Sequence, residues 1–308
     1  MFFGTPEFAV PALERLLDGA GEVLFVVTQP DRPAGRSGEP VPSAVARAAR
    51  ARGIPVVKPD GLRENAAFLD RLRAAAPDVA VVVAYGRILP SSILELPRLG
   101  CVNVHASLLP RHRGASPIQA AILAGDSETG VATMRIVEQL DAGPLYLERR
   151  VAIGAREDAG FLSARLAESG AELLAETLAG LEAGTVSPRP QEGTPTYCRM
   201  IRREDGEADW NLPAEDLERR LRAFTPWPGL FTFSDGERIK ILEADVGPPA
   251  RTGDPGTLRQ EGGELLAWAG GGTSLVLRRL QREGRNPVTG PQFAAGARAS
   301  TRFGPRQK

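Results

Sequence analysis

Apolar, β-branched runs alternate with helical stretches along the first half of the chain, and this alternation limits the possible folds more than any other feature. The runs are Val23–Thr28, Val79–Ala84, Cys101–His105 and Thr133–Val137. Strands that are apolar throughout and are separated by helices are typical of parallel sheets covered on both faces. We therefore expect a doubly wound α/β domain built on a mostly parallel sheet.

The helices between these runs have recognisable starts and are expected at Pro6–Asp18, Ser43–Arg52, Asn65–Ala75 and Ser116–Leu123. Thr5 places a capping hydroxyl before Pro6, which takes the first helical position. A longer helix is expected over Glu157–Leu181, because leucines recur there at mostly helical spacing. Only Met1–Phe3 precede Gly4, so the first strand is expected to be short, through a late start or a clipped strand.

A chain of 308 residues is too long for one ordinary core, and two domains are expected. Glu182–Pro195 is rich in Gly, Pro, Ser and Thr, as linkers are. After it come a helical stretch and short strand-like runs with Gly-rich turns, the pattern of a small barrel such as an OB-fold. We expect a catalytic domain over residues 1–184, a linker over 185–207 and an OB-like domain over 208–308.

Charge, cysteine content and hydropathy disfavour several classes of protein. The formal net charge is zero, so bulk electrostatics do not indicate a polyanion-binding protein. Cys101 and Cys198 lie far apart outside any C-x-x-C motif, which argues against a disulfide framework and a cysteine zinc site. With only His105 and His112 besides, no metal is expected. The sequence has no apolar stretch of about 18 residues and no secretion signal, so we expect a cytoplasmic protein without a membrane span.

The densest run of polar side chains extends from Asn103 to Gly114. Asn103 and His105 point the same way, because side chains alternate between the two faces of a strand. They come at the carboxyl end of an expected parallel strand, where open α/β sheets bind ligands. An amide donor beside an imidazole can stabilise an oxyanion or move a proton. The alternative is that His105 only caps the strand and bonds a carbonyl group, and the sequence leaves both open.

Asp141 follows the fourth expected strand, within Gln139–Pro144. Glycine and proline fix a turn there, and aspartate is a common turn former. A functional role requires Asp141 to lie near His105, where its carboxylate could set the orientation and protonation of the imidazole. The sequence does not decide between the two interpretations.

Two basic regions could face a nucleic acid. Arg32–Pro40 is a basic loop with Gly and Pro between a strand and a helix, and it is either a solvated loop or a phosphate-facing arm. From Arg278 to the end, eight basic residues accompany the single acid Glu283. A solvated tail has the same composition, but beside an expected small barrel this asymmetry favours nucleic-acid binding.

These motifs together resemble the methionyl-tRNA formyltransferase family, one of the folate-dependent formyltransferases, over nearly the whole chain. The run Asn-x-His followed by Ser-Leu-Leu-Pro, residues 103–110, is specific to the folate formyltransferases. The Pro-Ala-Gly-Arg loop at 33–36 and the second domain point to the tRNA member. Further matches are Phe3–Phe8, Ala84–Gly86, Arg113–Gln119, Leu140–Gly143, Asp209–Trp210 and Pro226–Pro228.

The resemblance implies a reaction: a formyl group passes from 10-formyltetrahydrofolate, the co-substrate, to the α-amine of methionyl initiator tRNA. The product is formylmethionyl-tRNA for translation initiation. By the same resemblance, Asn103 and His105 stabilise the tetrahedral oxyanion, and Asp141 orients His105 and helps to move the proton.

The resemblance also implies where the substrates bind. The tetrahydrofolate site is expected to be formed by Ser107, Leu108, Leu109 and Pro110, with Tyr85, Gly86, Leu140 and Gly143 near the pterin. Arg32 and Arg36 are expected near the acceptor end of the tRNA, and the second domain on the inside face of the tRNA. The loop after Arg36 departs from the family in carrying Ser37–Pro40 where more lysine is expected. A monomer is expected.

Several other functions fit part of these observations. Glycinamide ribonucleotide formyltransferase shares the Asn-x-His pattern but is a single domain. The hydrolase domain of formyltetrahydrofolate dehydrogenase and the sugar-amine formyltransferases share a two-domain layout. A non-catalytic RNA-binding protein predicts the loss of Asn103, His105 or Asp141, and all three are present. A nicotinamide oxidoreductase is disfavoured, because Gly4-Thr5-Pro6 is not a G-x-G-x-x-G fingerprint.

Overall fold

A computed structural model describes residues 1–19, 21–33, 38–63, 65–249, 253–296 and 302–305, which form two compact units. The first unit comprises Met1–Pro117, Glu128–Ala152 and Ser163–Cys198, and the second comprises Ile118–Ser127, Ile153–Leu162 and Arg199–Lys308. Within the described ranges, every helix is too short or too polar to cross a bilayer.

Short strands and helices alternate through the first 200 residues. The strands are β1 (Phe2–Gly4), β2 (Val26–Val27), β3 (Arg32–Pro33), β4 (Pro40–Val41), β5 (Val56–Val57), β6 (Ala80–Val83), β7 (Cys101–His105), β8 (Arg113–Gly114), β9 (Glu128–Arg135), β10 (Leu145–Ala152) and β11 (Tyr197–Cys198). The helices are α1 (Val10–Leu17), α2 (Ala44–Ala51), α3 (Ala66–Ala75), α4 (Ser91–Leu94), α5 (Pro117–Ala124) and α6 (Ala159–Glu182).

The central sheet of the first unit has the order β10-β9-β7-β6-β1-β2-β5. The pairs from β7 to β5 are parallel, while β9 runs antiparallel to both β7 and β10. The chain moves from β1 outward to β2 and β5 and then returns to β6 on the other side of β1. The expected doubly wound, mostly parallel sheet is therefore confirmed, with its order reversing between β1 and β6.

The last two strands of this sheet differ from the sequence-based prediction. The strand expected at Thr133–Val137 instead ends at Arg135 and begins earlier, at Glu128. Strand β10 was not expected at all, because its sequence carries Glu148 and two arginines and only its first residues are fully buried. An edge strand with one solvated face lacks the continuous apolar run that identifies buried parallel strands.

Each face of the sheet covers its own hydrophobic core, and this decides where the polar side chains of β7 lie. Phe2 packs with Val102 and Val104 in one core, and Phe3 packs with Cys101 in the other. Since Val102 and Val104 belong to the first core, the alternate residues of β7 point to the opposite face.

Within the described residues after 198, the second unit forms a small antiparallel barrel with two α-helices. Its helices are α7 (Ala214–Phe224) and α8 (Gly290–Ala295), and its strands are β12 (Leu230–Ser234), β13 (Glu237–Val246), β14 (Leu258–Glu261), β15 (Glu264–Ala269), β16 (Thr273–Arg282) and β17 (Val288–Thr289). The strand order is β12-β13-β16-β15-β14, with β17 beside β16. Residues 302–304 bridge Phe233 on one edge and Thr257 beside the other, which closes the sheet. The expected small OB-like barrel is confirmed in this closed form.

The basic residues counted along the C-terminal sequence are largely balanced by carboxylates on neighbouring strands. The ion pairs are Arg278 with Asp245 and Glu264, Arg279 with Glu243, Arg282 with Glu237, and Arg302 with Asp254. Cross-strand pairing of this kind cannot be seen in a count along the chain. These four arginines therefore do not form the free basic patch that the sequence suggests, and Arg298, Arg306 and Lys308 lie outside the described residues.

Candidate active site

The polar side chains of β7 lie at the edge of the sheet where the parallel strands end. Asn103 is half-buried and His105 is buried, with 7% of its surface exposed. The same edge carries Gly4, which ends β1, and the loop that follows β6. Because the carboxyl ends of parallel strands meet at one edge, this is the ligand-binding crevice expected of an open α/β sheet.

The imidazole of His105 is held by a backbone carbonyl group. Its Nε2 lies 3.0 Å from the carbonyl oxygen of His112. A carbonyl oxygen can only accept, so Nε2 donates and carries the ring hydrogen. In the neutral imidazole, Nδ1 is then the nitrogen with a free lone pair. The carbonyl bond expected of a merely structural histidine is thus present, and it also determines which nitrogen remains open.

Asp141 faces that open nitrogen. Its Oδ2 lies 3.8 Å from Nδ1 of His105, and 15% of its side-chain surface is exposed. The same oxygen accepts a hydrogen bond of 2.7 Å from the backbone N–H of Gly114. Asp141 adopts a left-handed conformation, with φ of 47°. Asp141 is therefore both a turn former and a neighbour of His105, and the proximity that a functional role requires is present.

The side-chain amide of Asn103 makes no hydrogen bond with another described residue. In the sheet, Asn103 lies opposite Val82 of β6 on one side and Met134 of β9 on the other, and this pairing fixes its backbone. Residues two apart on one face of a strand are about 7 Å apart along the chain, so Asn103 lies one repeat before His105. An uncommitted amide beside a fixed imidazole can hydrogen-bond a substrate oxygen.

The loop after β7 is stiff, and its polar group is used internally. The hydroxyl of Ser107 is buried and donates to the carbonyl oxygen of Arg111 at 2.6 Å. Leu109 is buried against Met134 and Leu145. Leu108 is half-buried and packs on Gly130, where a Cβ atom would lie 2.5 Å from its side chain. The side chains of these residues contact other parts of the protein and so fix the shape of the loop. They leave few polar groups free to bond a ligand.

The loop after β6 presents its backbone to the crevice. The ring of Tyr85 is buried against Phe3, with ring centroids 5.4 Å apart, and burial raises the pKa of the Tyr85 phenol. The carbonyl oxygen of Tyr85 accepts from the Thr5 hydroxyl at 2.9 Å and from the Gln29 amide at 2.8 Å. Gly86 has φ of 79° and would place a Cβ atom 2.5 Å from the same Gln29 amide nitrogen.

The loop around Asp141 combines an exposed apolar residue with a glycine that no other residue can replace without a shift. Leu140 is 58% exposed. Gly143 is buried, and a Cβ atom there would lie 1.7 Å from the carbonyl oxygen of Arg135.

The segment that sequence composition marks as a linker runs along the site loop. Tyr197 and Cys198 form β11, which pairs in parallel with β8. Thr196 accepts a hydrogen bond of 2.8 Å from the backbone N–H of His112 through its hydroxyl. The side chain of Gln191 bonds both Arg113 and the backbone of the Asp141 turn. Sequence reasoning missed Thr196 and Gln191, since nothing in a Gly/Pro-rich stretch indicates which polar groups bond a distant loop.

Of the two arginines expected near the tRNA, only Arg32 is described. It lies on β3, is exposed, and donates to the side chain of Gln29 at 2.6 Å. Gln29 thus joins the base of this hairpin to the carbonyl of Tyr85. Arg36 lies outside the described residues.

A cavity of about 630 Å³ lies in the second unit rather than at these residues. Trp210, Phe233, Asp209 and Asp235 line it, with Arg302, which pairs with Asp254. The cavity contains neither an imidazole nor a cysteine. His105 and Asp141 lie instead in the first unit, as does Asn103, which comes two residues before His105 on the same strand.

Comparisons with known proteins agree with both units. Residues 1–178 match the formyl transferase family, and residues 200–298 match its C-terminal domain. The chain is 42% identical to the methionyl-tRNA formyltransferase of Geobacter sulfurreducens, over 99% of this chain and 96% of that protein. It is 46% identical to the methionyl-tRNA formyltransferase of Thermus thermophilus, over 96% of this chain and 95% of that protein.

Solved structures share the fold. The methionyl-tRNA formyltransferase from Clostridium thermocellum superposes with a TM-score of 0.54 at 15% identity, over 86% of this chain and 95% of that one. The N-formyltransferase from Helicobacter canadensis, in complex with folinic acid and dTDP-3-aminofucose, superposes with a TM-score of 0.64 at 16% identity, over 91% of this chain and 98% of that one.

Proposed function

We propose, from the premise that this chain belongs to the methionyl-tRNA formyltransferase family, that Asn103, His105 and Asp141 form its active site. The chain is a formyltransferase that passes a formyl group from 10-formyltetrahydrofolate to the α-amine of methionyl initiator tRNA. Family membership follows from identities of 42–46% to curated members over nearly the whole chain. The observation that carries the site assignment is the 3.8 Å approach of Asp141 to the open nitrogen of His105.

The reaction needs an oxyanion stabiliser and a path for one proton. The neutral amine of the methionyl group attacks the formyl carbon, and the carbonyl oxygen becomes an oxyanion. The amide of Asn103 is free among the described residues, and it donates to that oxygen. A preorganised donor of this kind typically contributes about 10²–10³ in rate.

His105 accepts the proton that the attacking amine loses. Because its Nε2 donates to the carbonyl of His112, Nδ1 is the nitrogen that takes this proton. The resulting imidazolium lies beside the Asp141 carboxylate, which stabilises its charge and fixes its ring. His105 returns the proton to N10 of the folate as the bond between that nitrogen and the formyl carbon breaks.

Residues at the crevice edge fit a folate co-substrate. Ser107–Pro110 form a stiff loop beside Asn103, and exposed Leu140 offers an apolar surface for a ring. Tyr85 and Gly86 lie on the loop that follows β6, and Gly143 lies on the loop that carries Asp141. We propose that these segments hold the pterin and orient the formyl group toward Asn103.

The tRNA contacts and the cellular setting are also part of the proposal. Arg32 and Arg36 approach the acceptor end of the initiator tRNA, and the barrel of residues 208–308 binds the tRNA body. The proposal also keeps the catalytic domain at residues 1–184, the linker at 185–207 and the OB-like domain at 208–308. The protein acts in the cytoplasm as a monomer.

Two substitutions test the site directly. Asn103→Ala and Asp141→Asn should each lower the single-turnover rate of formyl transfer by about 10²–10³. The matched control is Asp60→Asn, at an exposed position of the first unit. The control should retain the wild-type rate. Wild-type rates for the site variants would refute the assignment of Asn103 and Asp141.

A further inference from the structure

The side chain of Gln191 is fully used in holding the turn that carries Asp141. Its Nε2 donates to the carbonyl oxygens of Asp141 and of Gly143, both at 2.8 Å. An amide nitrogen has two hydrogens, so each carbonyl group receives one. Both ends of a turn that includes a left-handed residue are thereby fixed by one side chain.

The side-chain oxygen of Gln191 bonds to β8, the strand whose backbone also bonds the Asp141 carboxylate. Oε1 of Gln191 accepts from Nη2 of Arg113 at 2.6 Å and from Nε at 3.1 Å. Arg113 and Gly114 form β8, and the N–H of Gly114 donates to Oδ2 of Asp141. The backbone of Asp141 is therefore anchored to Arg113 through Gln191, and its carboxylate is bonded to the adjacent residue, Gly114.

This closed ring of contacts sets where the carboxylate can lie. If the turn moved away from β8, either the two Gln191 bonds or the Gly114 bond would break. A displacement of about 1 Å at a reacting group can cost about 10²-fold in rate. The ring therefore controls the separation between Asp141 Oδ2 and His105 Nδ1.

We propose that Gln191 is a positioning residue for formyl transfer, acting through Asp141. The inference rests on the proposed role of Asp141. Among the described residues, the hydrogen bonds of Gln191 go to the Asp141 turn and to Arg113, and none goes to His105 or Asn103. Its location in the segment 185–207 makes this segment part of the active site's support.

The variant Gln191→Glu separates the two halves of this role. A glutamate keeps the acceptor oxygen for Arg113, but it has no N–H groups for the carbonyls of Asp141 and Gly143. The apolar variant Gln191→Leu removes both halves without adding a charge. We expect both to lower kcat by about 10- to 100-fold. The KM for 10-formyltetrahydrofolate should change less than about threefold, and the urea midpoint should stay near the wild-type value.

The control is Glu192→Gln, a substitution at the exposed neighbour in the same segment, which should leave kcat unchanged. A double-mutant cycle with Asp141→Asn, read by single-turnover kinetics with enzyme in excess, tests the route of the effect. Since Gln191 acts through Asp141, Gln191→Leu should cause little further loss in the Asp141→Asn background.

Each result decides between the claims. A wild-type kcat for both Gln191 variants, or a loss in kcat matched by a loss in the urea midpoint, would overturn the positioning role. Additive losses in the cycle would do the same. A wild-type rate for Asp141→Asn alone would instead refute the proposed site, which keeps the two failures apart.

Discussion

The carbonyl oxygen of His112 lies 3.0 Å from Nε2 of His105, and this contact directs the opposite ring nitrogen toward Asp141. His112 itself has a left-handed φ of 56°, and its backbone N–H donates to the Thr196 hydroxyl. The orientation of the His105 ring therefore depends on a loop that is anchored from a distant part of the chain.

Replacing His105 by alanine should abolish turnover while tRNA binding survives. In the proposed mechanism the substitution removes the nitrogen that takes the proton from the amine, and general-base catalysis typically contributes about 10²–10⁴ in rate. We expect a loss of at least about 10² in single-turnover rate, with the dissociation constant for initiator tRNA changed less than about threefold. Filter binding and formyl-transfer kinetics measure the two quantities. Substantial retained activity would refute the role of His105.

Replacing Gly114 by alanine should destabilise the first unit and slow catalysis together. Gly114 has φ of 120°, and a Cβ atom there would lie 2.1 Å from the carbonyl oxygen of Cys198. The strand β8 must then move away from β11, and overpacking of this kind costs about 1–3 kcal/mol beyond backbone strain. The N–H that binds Asp141 moves with it, so kcat should also fall.

The matched control for this prediction is Gly184→Ala. Gly184 also has a left-handed φ, of 68°, but no atom lies within 4 Å of its added Cβ. The control should cost only the conformational strain, about 1–2 kcal/mol, with no change in kcat. Urea unfolding and steady-state kinetics on both variants give the comparison, and equal effects at the two glycines would contradict it.

The sequence predicts the strand that carries the chemistry but not the contacts that orient it. Strand β7 is found at Cys101–His105 as expected. Its apolar, β-branched residues and its polar end are local features of the sequence, so they can be read along the chain. The bond from His105 to His112, the approach of Asp141 to His105 and the hydrogen bonds of Gln191 all join residues from separate segments. The family resemblance implies the pairing of Asp141 with His105, but composition and spacing hold no signal for the other two contacts.

The same limit explains the errors at the sheet edge and in the charge pattern. Strand β10 carries Arg149 and Arg150, and in the fold these arginines pair with Glu172, Glu176 and Glu128. The arginines of β16 pair with acids on β13 and β15. The charged residues of β10 and β16 therefore lie on the solvent-facing sides of strands, where they form ion pairs, and not in solvated loops or in a free basic patch.

Stability should fall at alkaline pH through Cys101. Burial raises the pKa of its thiol from an ordinary 9.0 to about 12. Above pH 9 the unfolded chain releases this proton while the folded chain keeps it, so the unfolded state binds fewer protons. Stability should then decline between about pH 9 and pH 12, by at most about 1.4 kcal/mol per pH unit from this group.

The variant Cys101→Ala isolates this contribution. Its decline in the urea midpoint between pH 8 and pH 10.5 should be shallower than that of the wild type. The buried phenols of Tyr85 and Tyr146 also have raised pKa values and are present in both proteins. Parallel pH profiles for the two proteins would show that the Cys101 thiol releases its proton over the same pH range in the folded and unfolded states, and would contradict the prediction.

Arg36→Ala should weaken the use of tRNA with little change in folate affinity. The expectation follows from the family resemblance of its loop, and loss of one phosphate contact should lower the salt dependence of binding by about one unit of slope. The matched control is Arg98→Ala in the first unit, because Arg98 is also exposed and pairs with Asp78 at 2.9 Å. The control should change the KM for tRNA by less than about twofold. A collapse of folate binding in Arg36→Ala would show that the loop is wrongly placed.

The most direct test of the account is formyl transfer from 10-formyltetrahydrofolate to methionyl initiator tRNA, with methionyl elongator tRNA as the control. We predict rapid transfer to the initiator tRNA and a strong preference over the elongator tRNA. No transfer to either tRNA, with tetrahydrofolate still bound, would contradict the account. The acceptor would then be water or a small amine at the same Asn103, His105 and Asp141 site.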